Sequence, residues 1–225
     1  MRLWHLPGAL CLALISVAAA AKERPLPASG ARAVVVDERL SALRERPEVK
    51  APLLQRLRRG RAVAVLGRDR AGQFLRVAVT RRTRGWVLAA AVARAGRADD
   101  AARMLTLIGE TADDYARARL SRACADEFRV TRAAPRALLL LGEAAERAAE
   151  RLSLAARRRS GTAAREYLLN DVGLDRYNRI GVTFDYDEGA GRLKYDGGAY
   201  RELLRRYPRS PEAAEARARL VEIRD

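Results

Sequence analysis

Three arginines within four positions, Arg81, Arg82 and Arg84, stand directly before Gly85. Arg56, Arg58, Arg59 and Arg61 crowd around Gly60 in the same way, and Arg68 and Arg70 lie between Gly67 and Gly72. Turn tips sit at the surface because their backbone groups need water, so these side chains are expected to point outward as a cationic rim suited to anions. Phe74 and Arg76 alternate with Leu75, Val77 and Val79, which puts the first two on one face of a strand and the other three on the better core face. An aromatic ring beside a guanidinium makes a platform for a sugar or an anion; the alternative is that Phe74 closes the end of the core. Trp86 is assigned to the core.

Covalent and metal chemistry is bounded by which residues are missing. Met1 to Ala21 combines Arg2, an apolar run from Leu10 to Ala20 and a small-residue exit at Ala18 to Ala21, the pattern of a cleaved secretory signal peptide. The run is shorter than the roughly 20 apolar residues that a spanning helix needs. A lipid anchor on Cys11 is disfavoured by the bulk of Leu10 and by the apolar run that continues past it. The expected mature chain is therefore exported, periplasmic or secreted, and meets the membrane only during export. It loses the sole histidine, His5, and keeps Cys124 as its only cysteine, at a net charge of +15. Without histidine there is no Ser-His-Asp triad, no Cys-His pair and no His-containing zinc site; with one cysteine there is no all-cysteine zinc site and no dithiol pair. Neither a P-loop nor a dinucleotide fingerprint occurs. Carboxylate pairs such as Asp113-Asp114 read as solvated helix faces. Asp185, Asp187 and Asp196 match three positions of a calcium loop, but Gly189 and Ala190 fall where an oxygen ligand and a glycine are required, so a turn is the better reading. The chain reads as non-enzymatic, with no metal and no cofactor.

The charge is unevenly placed. Only three lysines occur, and an alanine- and arginine-heavy composition can arise from a genome rich in G and C, yet Arg32 to Arg94 holds 16 basic against 5 acidic residues while Ala95 to Asp225 holds 25 against 22. The basic segment has short β-branched runs bounded by turn residues: Ala33 to Val36, Ala62 to Leu66, Phe74 to Val79 and Gly85 to Leu88. Leu43-Arg44 followed by Pro47, Leu57-Arg58-Arg59-Gly60 opening Val63 and Val65, Phe74-Leu75-Arg76-Val77, and Gly85-Trp86-Val87 together resemble the bacterial SH3-like domain of secreted and wall-associated proteins. Two positions depart from that pattern, Ala42 where asparagine is usual and Phe74 where tryptophan is usual. The resemblance implies a small β-barrel over residues 31–95 and binding to an envelope component.

After a proline-containing linker at 22–30 and the barrel, a polar break at Gly96 to Asp100 opens a helical region over 98–225. Leu105-x-x-Ile108-Gly109-Glu110-x-Ala112 recurs 33 residues later as Leu138-x-x-Leu141-Gly142-Glu143-x-Ala145. With the Tyr207-Pro208 turn between helical stretches at Ala199 to Leu220, this is similar to tetratricopeptide repeats, which implies an all-α repeat array. A short helix is expected over Thr162 to Leu169. The alternation of Ile180, Val182, Phe184 and Tyr186, a turn at Asp187 to Gly191, then Leu193 and Tyr195 predict an inserted hairpin or loop. Ser210 is placed to cap the last helix.

The fold expected is thus mixed, with two domains: an SH3-like barrel and an all-α tetratricopeptide-like array carrying one insertion. The function expected is binding of an anionic or peptide-bearing cell-wall polymer by the barrel, through Phe74, Arg76, Arg81, Arg82 and Arg84, with a protein partner on the helical repeats. The alternative is an envelope interaction scaffold that does not touch the wall. Nucleic acid, which a pI near 11.0 would otherwise suggest, is disfavoured by export.

Overall fold

Short apolar stretches bounded by turn residues form seven strands between residues 31 and 94: β1 (Ala31–Val35), β2 (Ala42–Arg44), β3 (Leu53–Arg56), β4 (Ala62–Arg68), β5 (Phe74–Ala78), β6 (Arg84–Leu88) and β7 (Val92–Arg94). In the computed structural model, which describes residues 30–158, residue 166 and residues 173–224, they form one antiparallel sheet in the order β3-β2-β6-β5-β4-β1-β7. The signal peptide read at 1–21, most of the 22–30 linker and the short helix read at 162–169 lie outside the described residues.

One face of the sheet packs Ala33, Val35, Leu43, Val63, Leu75, Val77, Val87 and Val92 into a single apolar cluster. The turns are set locally. Gly60 and Gly72 take positive φ of 77° and 72°, a region open to glycine without a Cβ clash. Asp69 accepts a hydrogen bond from the Phe74 amide at 2.8 Å and fixes the entry to β5. The Gly60 turn is tied back to β1 by a hydrogen bond from its amide to the Val35 carbonyl at 2.8 Å.

The rest of the chain forms α1 (Ala98–Glu110), α2 (Asp114–Glu127), α3 (Ala133–Arg157), α4 (Gly173–Asn178), the hairpin β8 (Phe184–Asp187) and β9 (Arg192–Tyr195), α5 (Gly198–Arg206) and α6 (Glu212–Arg224). Asp113 caps α2, accepting from the Ala116 amide at 2.8 Å. Pro135 occupies the first turn of α3, where its missing N–H costs nothing. α3 is buried over most of its circumference, including Ala134, Ala137, Leu138, Leu139, Leu141, Ala144, Ala145 and Ala148, which marks it as the central element rather than an amphipathic surface helix.

These features correct the expected fold class. The described residues show a mixed α and β protein: a seven-stranded antiparallel sheet, a separate two-stranded sheet and six helices, in place of an SH3-like β-barrel followed by an all-α tetratricopeptide-like array. Repeats stack equivalent helix pairs. Here one 25-residue helix packs against α1, α2, the β9 hairpin strand, α5 and α6. The two copies of the Leu-x-x-(Leu/Ile)-Gly-Glu motif are not equivalent either. A side chain at Gly109 would meet nothing within 4 Å, whereas one at Gly142 would stand 2.2 Å from the Tyr200 ring.

The sheet and the helices share a core. Val34, Val36 and Ala93, which point away from the first cluster, join the apolar cluster formed by the helices. Arg32 pairs with Glu127 at 3.8 Å, and Asp100 accepts from the Arg94 amide at 3.0 Å. Within the helical half a ladder of edge-to-face rings runs Tyr115, Tyr177, Phe184, Tyr195, Tyr200, with centroids 5.2, 5.2, 6.4 and 6.0 Å apart. Ser210 does not cap α6 with its side chain: its hydroxyl is buried without a hydrogen-bond partner.

Candidate functional site

Antiparallel register brings Trp86 of β6 opposite Arg44 of β2 on one side and Arg76 of β5 on the other. The same row continues to Leu53 on β3 and to Gly67 on β4. With strands about 4.8 Å apart, the five positions span about 19 Å across the sheet. Arg84 precedes Trp86 by two residues and therefore shares its face. An indole is thus framed by three arginines, on the side of the sheet opposite the Leu75, Val77 and Val87 cluster.

The surroundings keep this row open. Trp86 is half-buried and belongs to neither apolar cluster, which corrects its assignment to the core. Leu53 is 49% exposed, and nothing stands within 4 Å of the place where a Gly67 side chain would be. Arg44 is anchored by donating from Nη1 to the Ala51 carbonyl at 2.7 Å. Arg76 and Arg84 are exposed, and among the described residues neither makes a side-chain hydrogen bond or an ion pair. No carboxylate belongs to the row.

Arg81 and Arg82 lie at the tip of the β5–β6 hairpin. The Thr80 hydroxyl oxygen there accepts from the amides of Arg82 and Thr83 at 3.2 and 3.0 Å, which leaves both arginine side chains in solvent. Of the five residues expected to bind ligand, Arg76 and Arg84 come together beside Trp86, and Arg81 and Arg82 extend from the same hairpin. Phe74 shares the face of Arg76, yet only 4% of it is exposed, so its ring offers no open surface. The cationic rim is also not uniformly free. The Gly60 turn packs against Arg119 of α2, Arg61 donates to the Val79 carbonyl at 3.3 Å, and the Arg59 Nε is buried.

Sequence reasoning missed Trp86 as a surface residue and Arg44 as its neighbour. The signal was present: Gly85 and Val87 flank Trp86, and if Val87 faces the core, period-two alternation turns Trp86 to the opposite face. Arg44 needed the β2–β6 pairing, which joins residues more than forty positions apart.

Reactive groups elsewhere are restrained. Cys124 is fully buried, and burial pushes its thiol up to about 12, so it stays protonated and unreactive. Among the described residues no group of three His, Cys, Asp or Glu side chains is placed to hold a metal. No family model matches the chain, and no curated protein and no solved structure matches it either.

Proposed function

We propose that this is a non-enzymatic, exported cell-envelope protein whose seven-stranded sheet binds an anionic wall polymer. The observation that carries the reading is the indole of Trp86 framed by Arg44, Arg76 and Arg84, with Arg81 and Arg82 beyond them on the same hairpin. A sugar ring stacks on the indole face while carboxylate or phosphate groups on either side meet guanidinium forks, which suit planar anions better than lysine does. The acids on the segment are few, so the attraction adds over several cations, and salt screens it over about 8 Å at physiological ionic strength.

The test is binding to purified wall sacculi as salt is raised, with Trp86 fluorescence as a second readout. Binding is expected to weaken with salt and to fall on Arg76→Ser with Arg84→Ser, on Arg81→Ser with Arg82→Ser, and on Trp86→Ala. Arg205→Gln, on the exposed side of α5, is expected to change nothing. Retention of full binding by the Arg76→Ser, Arg84→Ser double variant would remove this face from the function.

A further inference from the structure

A groove of about 420 Å³ runs between α3, β9 and α6 and shares no lining residue with the Trp86 row. Its polarity can be read from the packing. β9 lies against α3 with Tyr195 next to Tyr200, whose hydroxyl donates to Glu146 at 3.0 Å, while the Leu193 amide donates to Ser153 at 2.9 Å. The strand therefore runs opposite to the helix, and Arg192 falls toward the end of α3 that carries Arg157. At the other end Arg219 of α6 approaches Glu146 at 3.7 Å, which brings Glu222 of the same helix to that end. The groove thus has a basic end, Arg157 and Arg192, and an acidic end, Glu146, Glu150 and Glu222, with Leu154 and Ile223 among the apolar residues between them.

The available charges differ at the two ends. Glu146 is taken up by Tyr200 and Arg219, and Lys194, also in the lining, is held by Asp187 at 3.4 Å. Arg192 stands across the hairpin from Asp187, and Glu222 has Arg219 at 3.3 Å. Arg157 and Glu150 are exposed and on one side of α3, seven residues or about 10 Å apart along the helix. An extended chain rises about 3.3 Å per residue, so about three residues bridge that distance. A lone anion would use only the basic end and a lone cation only the acidic end; a ligand with opposite charges at its two ends uses both.

We propose that this groove binds a short zwitterionic peptide in extended form, its ammonium toward Glu150 and Glu222 and its carboxylate toward Arg157 and Arg192. The role is binding without cleavage. The Ser153 hydroxyl, the only one on the α3 wall, already donates to the Ala149 carbonyl at 2.7 Å while accepting from Leu193, so it is not available as a nucleophile.

The experiment follows backbone amide shifts of the full chain, read at Ser153 and Leu193, during titration with tri-alanine. N-acetyl-tri-alanine and tri-alanine amide serve as probes that each lack one end charge. Saturable shifts are expected below about 10 mM tri-alanine, and each capped peptide is expected to bind about tenfold more weakly, as loss of a hydrogen bond to a charged group implies. Glu150→Gln should weaken tri-alanine while leaving the acetylated peptide unaffected, and Arg157→Gln should weaken tri-alanine while leaving the amide unaffected. Both residues are exposed, so neither change threatens folding. No shifts up to that concentration, equal binding of the capped peptides, or variants that weaken all three peptides alike would each overturn the proposal.

Discussion

Gly142 has the least room for a side chain among the described glycines of the helical half. Its missing side chain leaves room for the Tyr200 ring, with the would-be Cβ 2.2 Å from Cε1, whereas the matching Gly109 faces open space. Gly142→Ala is expected to lower stability by about 1–3 kcal/mol in urea unfolding, the range for overpacking a filled core. Gly109→Ala is expected to leave stability unchanged or raise it by up to about 1 kcal/mol, as a helical glycine with free space does. Equal effects at the two positions would restore the equivalence that their shared motif suggests. Glu146, next to Tyr200, shows a second residue-scale effect. Burial pushes its carboxyl above the ordinary value, against the lowering influence of the Tyr200 hydroxyl and Arg219. A folded-state value above the unfolded one makes the ionised form a cost to the folded chain at neutral pH. That cost shrinks as pH falls through the raised value and is gone below 4.5, the ordinary glutamate value. Glu146→Gln, which keeps an acceptor for Tyr200, is therefore expected to be more stable than the parent near pH 7 and equal to it below that point, measured by urea midpoints across the range. Cys124, fully buried with its thiol pushed up to about 12, should react with an aromatic disulfide reagent only as fast as the chain opens.

At the scale of elements, what could be read from the sequence depended on how local the cause was. β4, β5 and β6 fall on short Val- and Leu-containing runs bounded by turn residues, and the β8–β9 hairpin falls where Val182, Phe184 and Tyr186 alternate before a Gly-containing turn, because such patterns are properties of neighbouring residues. The three- and four-residue strands β2, β3 and β7 carry too few positions to show a period; their pairing partners define them. The repeat reading failed for a related reason. Apolar residues three and four apart announce a helix but not what surrounds it, and α3 has the same spacing whether it stacks in an array or stands at the centre. For the site, the arginines of the β5–β6 hairpin were legible from composition and turn residues, while the Trp86 row needed the register. The hairpin's attachment is testable at Ser153, whose Oγ satisfies the Leu193 amide in the interior. Ser153→Ala leaves that amide without a partner and is expected to cost about 1–3 kcal/mol. A cost well below this, measured by thermal unfolding, would mean that β9 finds another acceptor and that its seat on α3 is adaptable.

At the scale of the whole molecule, the question is whether the basic sheet and the helical half unfold as one. Val34, Val36 and Ala93 leave the sheet's own cluster and enter the helical one, and ion pairs from Arg32 to Glu127 and around Asp100 flank that contact. Separating the halves would expose those three side chains to water and open the end of the helical core. A burial shared in this way couples the two parts, because neither reaches its full stability without the other. The chain carries its own reporter: of the two tryptophans, Trp4 lies in the predicted signal peptide, so a chain beginning at Lys22 has Trp86 alone, on the sheet. Far-ultraviolet circular dichroism, dominated by the helices, reports on the other half. The two signals are expected to give coincident transitions in urea, and Gly142→Ala, made in α3, is expected to move the Trp86 transition by as much as the helical one. If the fluorescence transition stays in place while the helical transition moves, the sheet is an independent unit, and the face proposed to bind the envelope would then be portable to a segment of residues 30–95.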